Sequence, residues 1–138
     1  MAATSDKIKL EIATPERMVL SEEIDEVVMP GSEGYLGVRP GHAPLLTGLD
    51  VGEISLRSGS NERYLSCSGG FAEVSGDRVT ILADTAELSE EIDVERAKKA
   101  QADAEAKLKG DPDPDEFRRM ELRLKRAISR IQISERRR

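Results

Sequence analysis

Residues 30–46 read Pro30-Gly-Ser-Glu-Gly-Tyr-Leu-Gly-Val-Arg-Pro-Gly-His-Ala-Pro-Leu-Leu46, and this stretch decides how the chain folds. Its four glycines and three prolines are interleaved with large apolar residues. Glycine adopts backbone conformations that other residues avoid, whereas proline fixes φ at about −65° and removes a hydrogen-bond donor. Because a disordered linker would be polar throughout, the apolar residues predict ordered, tightly turned backbone between short strands.

The sequence around this stretch, residues 7–87, has the two-residue period of β-strands. Ile8, Leu10 and Ile12 alternate with charged side chains, which predicts a strand with one wet face. Further short strands are predicted at residues 24–28, 51–56, 63–68, 71–74 and 78–83. Gly- and Ser-rich breaks separate the strands, and the break at residues 75–77 is typical of a hairpin connection. Because no helical pattern lies between the strands, residues 1–88 predict a β-sandwich of about ten short antiparallel strands.

The period becomes helical after Leu88, so the predicted fold class is α+β. Asp93 is predicted to cap a helix over residues 94–109, and Gly110 to end it at the position after the C-cap. Asp113, Pro114 and Glu116 carry the N-terminal signature of a second helix that reaches about residue 133. The apolar positions of the two helices are Ala97, Ala100, Ala104 and Leu108, then Phe117, Met120, Leu124, Ala127, Ile128 and Ile131. Residues 91–138 therefore predict an antiparallel helix hairpin that buries little apolar surface and has weak intrinsic stability.

The charge of the chain is unevenly distributed, with 21 basic and 27 acidic side chains in all. Residues 1–90 carry 7 basic and 16 acidic side chains, a balance of −9, and residues 91–138 carry 14 and 11, a balance of +3. An acidic body argues against nucleic-acid binding, whereas a basic tail suits an acidic surface or a phosphate. The N-terminus lacks the apolar segment of a signal peptide, and no apolar run approaches membrane-spanning length. These features predict a protein made in the cytoplasm that does not insert into the membrane directly.

The sequence offers no catalytic constellation. His42 is the single histidine, so it cannot belong to a histidine metal site; it is either a hydrogen-bonded loop residue or a contact at a subunit boundary. Cys67 lies in a strand and is expected to be a buried, unreactive thiol. The glycines at 31, 34 and 37 lack the lysine and the strand–turn–helix context of a phosphate-binding loop. We therefore predict that the chain is not an enzyme; a metal-dependent sandwich enzyme would gather several histidines.

Four arginines of the second helix share one face, because they are spaced by four, three and four residues: Arg119, Arg123, Arg126 and Arg130. Two interpretations of this face remain open. The arginines either form a solvated surface, with Glu121 and Lys125 alongside, or they meet an anion or an acidic partner.

The stretch at residues 30–46 resembles the GxxGxxGxxPGHAPLL segment of the epsilon subunits of F-type ATP synthases. Residues 65–74 and 79–87 resemble the same family, and the resemblance covers essentially the whole chain in order. It implies a non-catalytic subunit of the central rotor stalk, in a complex that makes ATP from ADP with a proton gradient. The sandwich would bind the gamma subunit and the c-ring, and the C-terminal helices would inhibit ATP hydrolysis. The location implied is peripheral, on the cytoplasmic face of the inner membrane.

The resemblance also implies roles for particular residues. Ser32, Glu33, Tyr35 and His42 would face the c-ring. Arg119, Arg123 and Arg126 would contact the alpha and beta subunits of the catalytic head. No cofactor is required, although some members of the family bind regulatory ATP between the folded helices.

The members that bind ATP carry an I/L-D-x-x-R-A motif, which Ile92, Asp93, Arg96 and Ala97 match in this chain. The resemblance extends to Glu87 before the motif and to Arg126 and Arg130 in the second helix. Asp103 departs from the pattern, because such members have an arginine there and a carboxylate repels phosphate. We therefore expect weak ATP binding or none. The alternative function is a nucleotide-sensing regulatory module that acts through the hairpin.

Overall fold

The structure is a computed structural model, which describes residues 7–136. The predicted absence of a signal peptide concerns an N-terminal segment that begins outside these residues. The chain forms two compact units that divide between Leu88 and Ser89. The first unit contains strands alone, and the second contains a short 3₁₀ turn, Ser89–Glu91, and two helices. The predicted β-sandwich followed by two C-terminal helices is confirmed.

The first unit, here called the sandwich, has eight strands. Their bounds are β1 Ile8–Ala13, β2 Met18–Ile24, β3 Glu26–Gly31, β4 Gly34–Val38, β5 Leu45–Leu49, β6 Gly52–Ser58, β7 Asn61–Ser75 and β8 Arg78–Leu88. The strand number is lower than predicted, because the segments at 63–68 and 71–74 are parts of one 15-residue strand, β7. The stretch at 30–46 contains strands as well as turns, namely β4 and the start of β5. The predicted hairpin at residues 75–77 connects β7 to β8.

The strands follow the order β2-β1-β8-β7-β5-β3-β4, and β6 pairs with both β3 and β7. All of these pairs are antiparallel except β1 with β8, which is parallel and corrects the all-antiparallel prediction. The first half of β7 pairs with β6 and the second half with β5, and both pairings keep one register. β5 and β6 therefore pair with the same side of β7, one after the other, with a break only at residues 50 and 51.

We infer a bend in β7 at Gly69 and Gly70, because these two residues have φ values of 71° and 115°. These values lie outside the β region, and only glycine adopts them without strain. At Gly70 a Cβ atom would also overlap the carbonyl oxygen of Leu82 on β8. The strands pack around an apolar core, in which Leu10, Ile12 and Ile81 are fully buried.

The hairpin unit contains α1, Val94–Lys109, and α2, Pro114–Ser134. Asp93 caps α1 as predicted, since its Oδ1 accepts a hydrogen bond from the backbone N–H of Arg96 at 3.1 Å. Asp113 caps α2 in the same way, accepting from the N–H of Glu116 at 2.8 Å. Both caps satisfy backbone donors that the first turn of a helix leaves unpaired.

The end of α1 differs from the prediction. Gly110 is the C-cap itself, with φ −88°, and the left-handed conformation falls on Asp111, with φ 60°. Aspartate is one of the few residues other than glycine that tolerate this conformation. The buried residues are Ala97 and Ala104 on α1 and Met120, Ala127, Ile133 and Ser134 on α2. Phe117 and Ile128 of the predicted apolar stripe remain exposed, so the hairpin buries a narrow apolar line.

The bend makes a prediction about stability. Gly70→Ala should lower the free energy of unfolding by about 3 kcal/mol, because it combines a strained φ with the overlap on Leu82. Gly76→Ala is the matched control, since Gly76 has φ 62° but nothing lies within 4 Å of a Cβ there. The control should cost only about 1 kcal/mol. Urea unfolding followed by tyrosine fluorescence measures the sandwich alone, because both tyrosines of the chain belong to it. Equal losses in the two variants would contradict the proposed close approach at the bend.

Candidate functional site

An apolar row crosses the outer face of strands β2, β1, β8, β7 and β5. Strand pairing aligns Met18 with Ala13, Ala13 with Leu82, Leu82 with Phe71, and Phe71 with Gly48. Met18, Leu82 and Phe71 are 55%, 57% and 62% exposed. We call this set of five residues on five adjacent strands the apolar row.

Leu82 and Phe71 are exposed because they are out of phase with the core, whereas Met18 lies beside Ala13 because the pairing of β1 with β2 shifts register after Ile12. On β8, Ile81 and Ala83 are buried, so Leu82 between them points outward. On β7, Ala72 is buried and Phe71 points outward for the same reason. Scattered exposed apolar residues are ordinary, but a contiguous line of them marks an interaction surface.

The row ends at the turn between β3 and β4. The N–H of Ser32 donates to the carbonyl of Gly48 at 2.9 Å, and the Ser32 Oγ lies 3.5 Å from where a Cβ of Gly48 would be. Ser32 therefore covers the last position of the row. Glu33, the other residue of this turn, is exposed. The turn and the apolar row form one continuous surface.

The residues that were predicted to face the c-ring do not all lie together. Tyr35 follows the turn, and its hydroxyl accepts a hydrogen bond from the N–H of Glu53 at 2.9 Å, which holds the ring over Gly52. His42 lies in the loop that leaves the opposite end of β4, where its Nδ1 is 2.6 Å from the carbonyl oxygen of Ala43. At about 3.3 Å per residue, β4 separates the turn from this loop by about 13 Å.

Two carboxylates flank the apolar row on the same face of the sandwich. Glu73 and Asp84 are both exposed, each two residues along its strand from Phe71 or Leu82. Across residues 7–136, neither carboxylate forms an ion pair. Arg78, a nearby cation on β8, is instead bound to Glu11 at 2.9 Å. The apolar row is therefore bordered by unpaired negative charge.

The surroundings of Cys67 indicate a structural role for this side chain. Cys67 is buried, and its thiol donates to the carbonyl of Gly69 at 3.7 Å. Burial, with the nearby charge of Asp84, raises the pKa of the Cys67 thiol to about 12, so it remains protonated at neutral pH.

Over the described residues, no three His, Cys, Asp or Glu side chains gather as potential metal ligands. No helix in the described part of the chain is long and apolar enough to cross a membrane.

The hairpin presents a basic flank on α2. Arg119, Arg123 and Arg126 are exposed, and between residues 7 and 136 none of their guanidinium groups forms an ion pair or a hydrogen bond. Arg130 continues the flank one turn further and is half-buried. The flank lies about a quarter of a turn from the buried line of Met120 and Ala127. Three unpaired guanidinium groups on one helix face form a surface for carboxylates or phosphates.

The motif residues of α1 divide into two groups. Ile92 and Ala97 are buried, at 3% and 0% exposure, so they pack within the protein. Asp93 caps α1, and Arg96 is exposed at its N-terminal turn. Glu87, which the sequence grouped with them, lies near the end of β8 in the sandwich.

Helix geometry brings Arg96 to the side of the hairpin that carries the α2 arginines. Arg96 and Asp103 lie seven residues apart on one flank of α1. Because the helices are right-handed and antiparallel, this flank and the basic flank of α2 face the same way. Arg96 near the start of α1 is then opposite the later part of α2, with Arg126 and Arg130. Asp103, the position that departs from the ATP-binding pattern, lies on the same side.

The apolar row was not predicted from the sequence, although a signal for it exists. Phe71 and Leu82 are large apolar residues at outward-facing positions, next to the inward-facing Ala72 and Ile81. Out-of-phase apolar residues indicate an exposed patch only when the register of neighbouring strands is known. That register depends on long-range pairing, which the spacing of residues along one strand does not reveal.

Comparison with known proteins gives consistent matches over both units. Residues 7–89 match the family model described as ATP synthase, Delta/Epsilon chain, beta-sandwich domain. Residues 90–135 match the one described as ATP synthase, Delta/Epsilon chain, long alpha-helix domain. The chain is 50% identical over 133 residues to ATP synthase epsilon chain 2 of Syntrophotalea carbinolica, covering 96% of each. It is 50% identical over 131 residues to the ATP synthase epsilon chain of Syntrophobacter fumaroxidans, covering 95% of this chain and 98% of that one.

Solved structures show the same fold. A chain in the mitochondrial ATP synthase of Euglena gracilis, determined with OSCP, F1 and the c-ring, superposes with a TM-score of 0.82 at 27% identity. That match covers 93% of this chain and 81% of the Euglena chain. A chain from the central stalk and c-ring of the Tetrahymena thermophila mitochondrial ATP synthase has a TM-score of 0.63 at 14% identity, covering 96% and 99%. The second likeness concerns the fold alone.

Proposed function

Because this chain belongs to the ATP synthase delta/epsilon chain family, we propose that it is a non-catalytic rotor subunit of the central stalk of an F-type ATP synthase. In this role it couples rotation of the c-ring to the catalytic head, which makes ATP from ADP with a proton gradient. Its helix hairpin restrains ATP hydrolysis. The subunit would be peripheral, on the cytoplasmic face of the inner membrane, and held there by its partners.

The apolar row is the observation that carries this proposal. A stalk subunit that transmits torque needs a partner fixed firmly to it, and burial of large apolar side chains is the main source of such affinity. Phe71, Leu82 and Met18 together offer this surface on a rigid sheet. We assign the row to the gamma subunit.

The charges beside the row indicate the chemistry of the gamma segment that binds it. Glu73 and Asp84 have no cation of their own in the described part of the chain. A partner that buried the row without supplying cations would leave these carboxylates poorly solvated, which is costly. The segment of gamma that docks here should therefore be apolar with lysine or arginine beside it, and such charge complementarity also speeds association.

The c-ring contact follows from continuity with the row. Ser32 and Glu33 form an exposed turn at the end of the row, and Tyr35 stands beside them. A gamma subunit on the row would leave the turn free for the adjacent ring. His42, at the other end of β4, would reach the ring only if the contact extended along the strand.

The regulatory role rests on the basic flank and on the narrow packing of the hairpin. Because the helices bury few large apolar side chains, a folded and an extended arrangement of the hairpin would differ by only a few kcal/mol. Arg119, Arg123 and Arg126 are unpaired in the folded arrangement and could bind carboxylates of the alpha and beta subunits. Extension along gamma into the catalytic head would then block hydrolysis.

A second candidate function, nucleotide sensing, is favoured by the position of Arg96. It lies on the same side of the hairpin as Arg126 and Arg130, where arginines could hold the phosphates of ATP. Asp103 on this side opposes phosphate binding. The chain needs no cofactor for the stalk role, and regulatory ATP would stabilise the folded hairpin.

The assignment of the apolar row to gamma predicts the effect of truncating it. Phe71→Ala with Leu82→Ala should raise the Kd for gamma at least about 30-fold, since central apolar anchors contribute about 2 kcal/mol or more. The urea midpoint should hardly change, because both side chains are exposed in the isolated protein. Leu122→Ala is the control, since it removes an exposed leucine on α2. Calorimetric titration with gamma measures both, and unchanged affinity in the double variant would overturn the assignment.

The proposed brake predicts a loss of inhibition when the basic flank is neutralised. Replacing Arg119, Arg123 and Arg126 by glutamine should weaken inhibition of ATP hydrolysis roughly 30-fold, taking about 0.7 kcal/mol for each ion pair. The control replaces Lys99, Arg118 and Lys125, which removes the same charge from the outward side of the hairpin. Hydrolysis by the head and gamma, titrated with each variant, measures inhibition. Equal effects of the two sets would mean that net charge, rather than the flank, is responsible.

Nucleotide sensing predicts saturable binding of ATP to the isolated protein. Calorimetric titration with magnesium-free ATP should show weak binding that Arg126→Ala abolishes, because this arginine would hold a phosphate. Binding that survives in the variant would place ATP elsewhere. No binding to either protein would eliminate the second candidate and leave the arginines to the catalytic head.

A further inference from the structure

The turn between the two helices contains two prolines, each preceded by an aspartate, in the sequence Gly110-Asp-Pro-Asp-Pro114. Asp111 adopts the left-handed conformation with φ 60°. Asp113 is extended, with φ −69° and ψ 167°, and caps α2. Pro114 occupies the first turn of α2, where its missing N–H is not required. Each residue of the turn is thus suited to the end of one helix or the start of the next.

The same residues oppose any continuous helix through the turn. In such a helix, Pro112 could not donate to the carbonyl of Leu108, and its ring would clash with that carbonyl. Pro114 would conflict with the carbonyl of Gly110 in the same way. The residue before a proline is also disfavoured in the helical region, which applies to both Asp111 and Asp113.

Fusion of the helices would remove favourable interactions as well. The side chain of Asp113 would lose its hydrogen bond to the N–H of Glu116. The N–H of Gly110 would exchange its bond to the carbonyl of Lys107, at 3.2 Å, for helical geometry that glycine adopts poorly. A single proline would interrupt a continuous helix at one position, whereas this turn has two prolines, two residues apart.

We propose that residues 110–114 are a permanent joint: α1 and α2 do not merge into one helix in any working state of the protein, and α2 moves about this joint as a rigid arm. The direction in which the basic flank of α2 faces is then independent of α1, since the two helices are not parts of one continuous helix. The use of the arm as a brake rests on the proposed function. The joint itself is a property of the isolated chain.

The test is a distance measurement between spin labels in the full chain. Cys67→Ser removes the native thiol, and Lys99→Cys with Leu122→Cys places labels on exposed positions of α1 and α2. In the packed hairpin the labels are about 20 Å apart, from the usual spacing of packed helices and the width of their side chains. In a continuous helix they would be about 35 Å apart, at about 1.5 Å per residue. Helix-promoting alcohol releases the packing and favours maximal helix.

Three versions of the labelled protein are compared. The double substitution Pro112→Ala with Pro114→Ala removes both obstacles and should give a sharp population near 35 Å in alcohol. The native turn should give only a broad distribution, without this population. Asp111→Gly is the matched control, because it changes the same turn and relieves its left-handed residue but retains both prolines; it should behave as the native turn does.

Either of two results would contradict the proposal that residues 110–114 are a permanent joint. A sharp 35 Å population in the protein with the native turn would show that the helices merge despite the prolines. Its absence from the double proline variant, with far-UV circular dichroism showing α1 and α2 still helical, would show that the prolines are not the obstacle. Because neither measurement uses gamma or the catalytic head, failure of the joint is distinguishable from failure of the proposed brake.

Discussion

The bend of β7 at Gly69 and Gly70 is the constraint on which the rest of the sandwich depends. The first half of β7 pairs with β6 and the second half with β5, and residues of both halves contribute to one apolar core. At Gly70 a side chain would overlap the carbonyl oxygen of Leu82, so glycine is the residue that fits at the centre of this strand.

The same bend determines which residues are left outside. Once Ala72 and Ile81 face the core, Phe71 and Leu82 must face outward, because side chains alternate along a strand. Strand pairing then aligns them with Met18 and Gly48 into one row. The core and the apolar row are therefore on two faces of the same strands. A change of register by one residue would exchange them, so the position of the apolar row depends on the register that the core fixes.

The hairpin unit, in contrast to the sandwich, buries mainly small side chains. Its contact line is built from Ala97, Ala104 and Ala127, with Met120 as the largest buried side chain among them, and small side chains contribute little when buried. Its helices are instead well defined at their ends by Asp93, Asp113 and the proline-rich turn. The result is two helices with well-defined ends and a narrow apolar contact between them.

The sequence by itself determined the class of fold, because the change from a two-residue to a helical period is local and the residues that cap both helices lie beside the segments they cap. It also indicated the basic flank of α2, since spacings of three and four place Arg119, Arg123 and Arg126 on one face of any helix. It did not determine the number of strands, the parallel pairing of β1 with β8, or the apolar row. Those features depend on which strands become neighbours and in what register, and on a bend whose two halves look like separate strands when read along the chain. Long-range pairing is a property of the whole folded sheet, so the position of the apolar row follows from the tertiary structure alone.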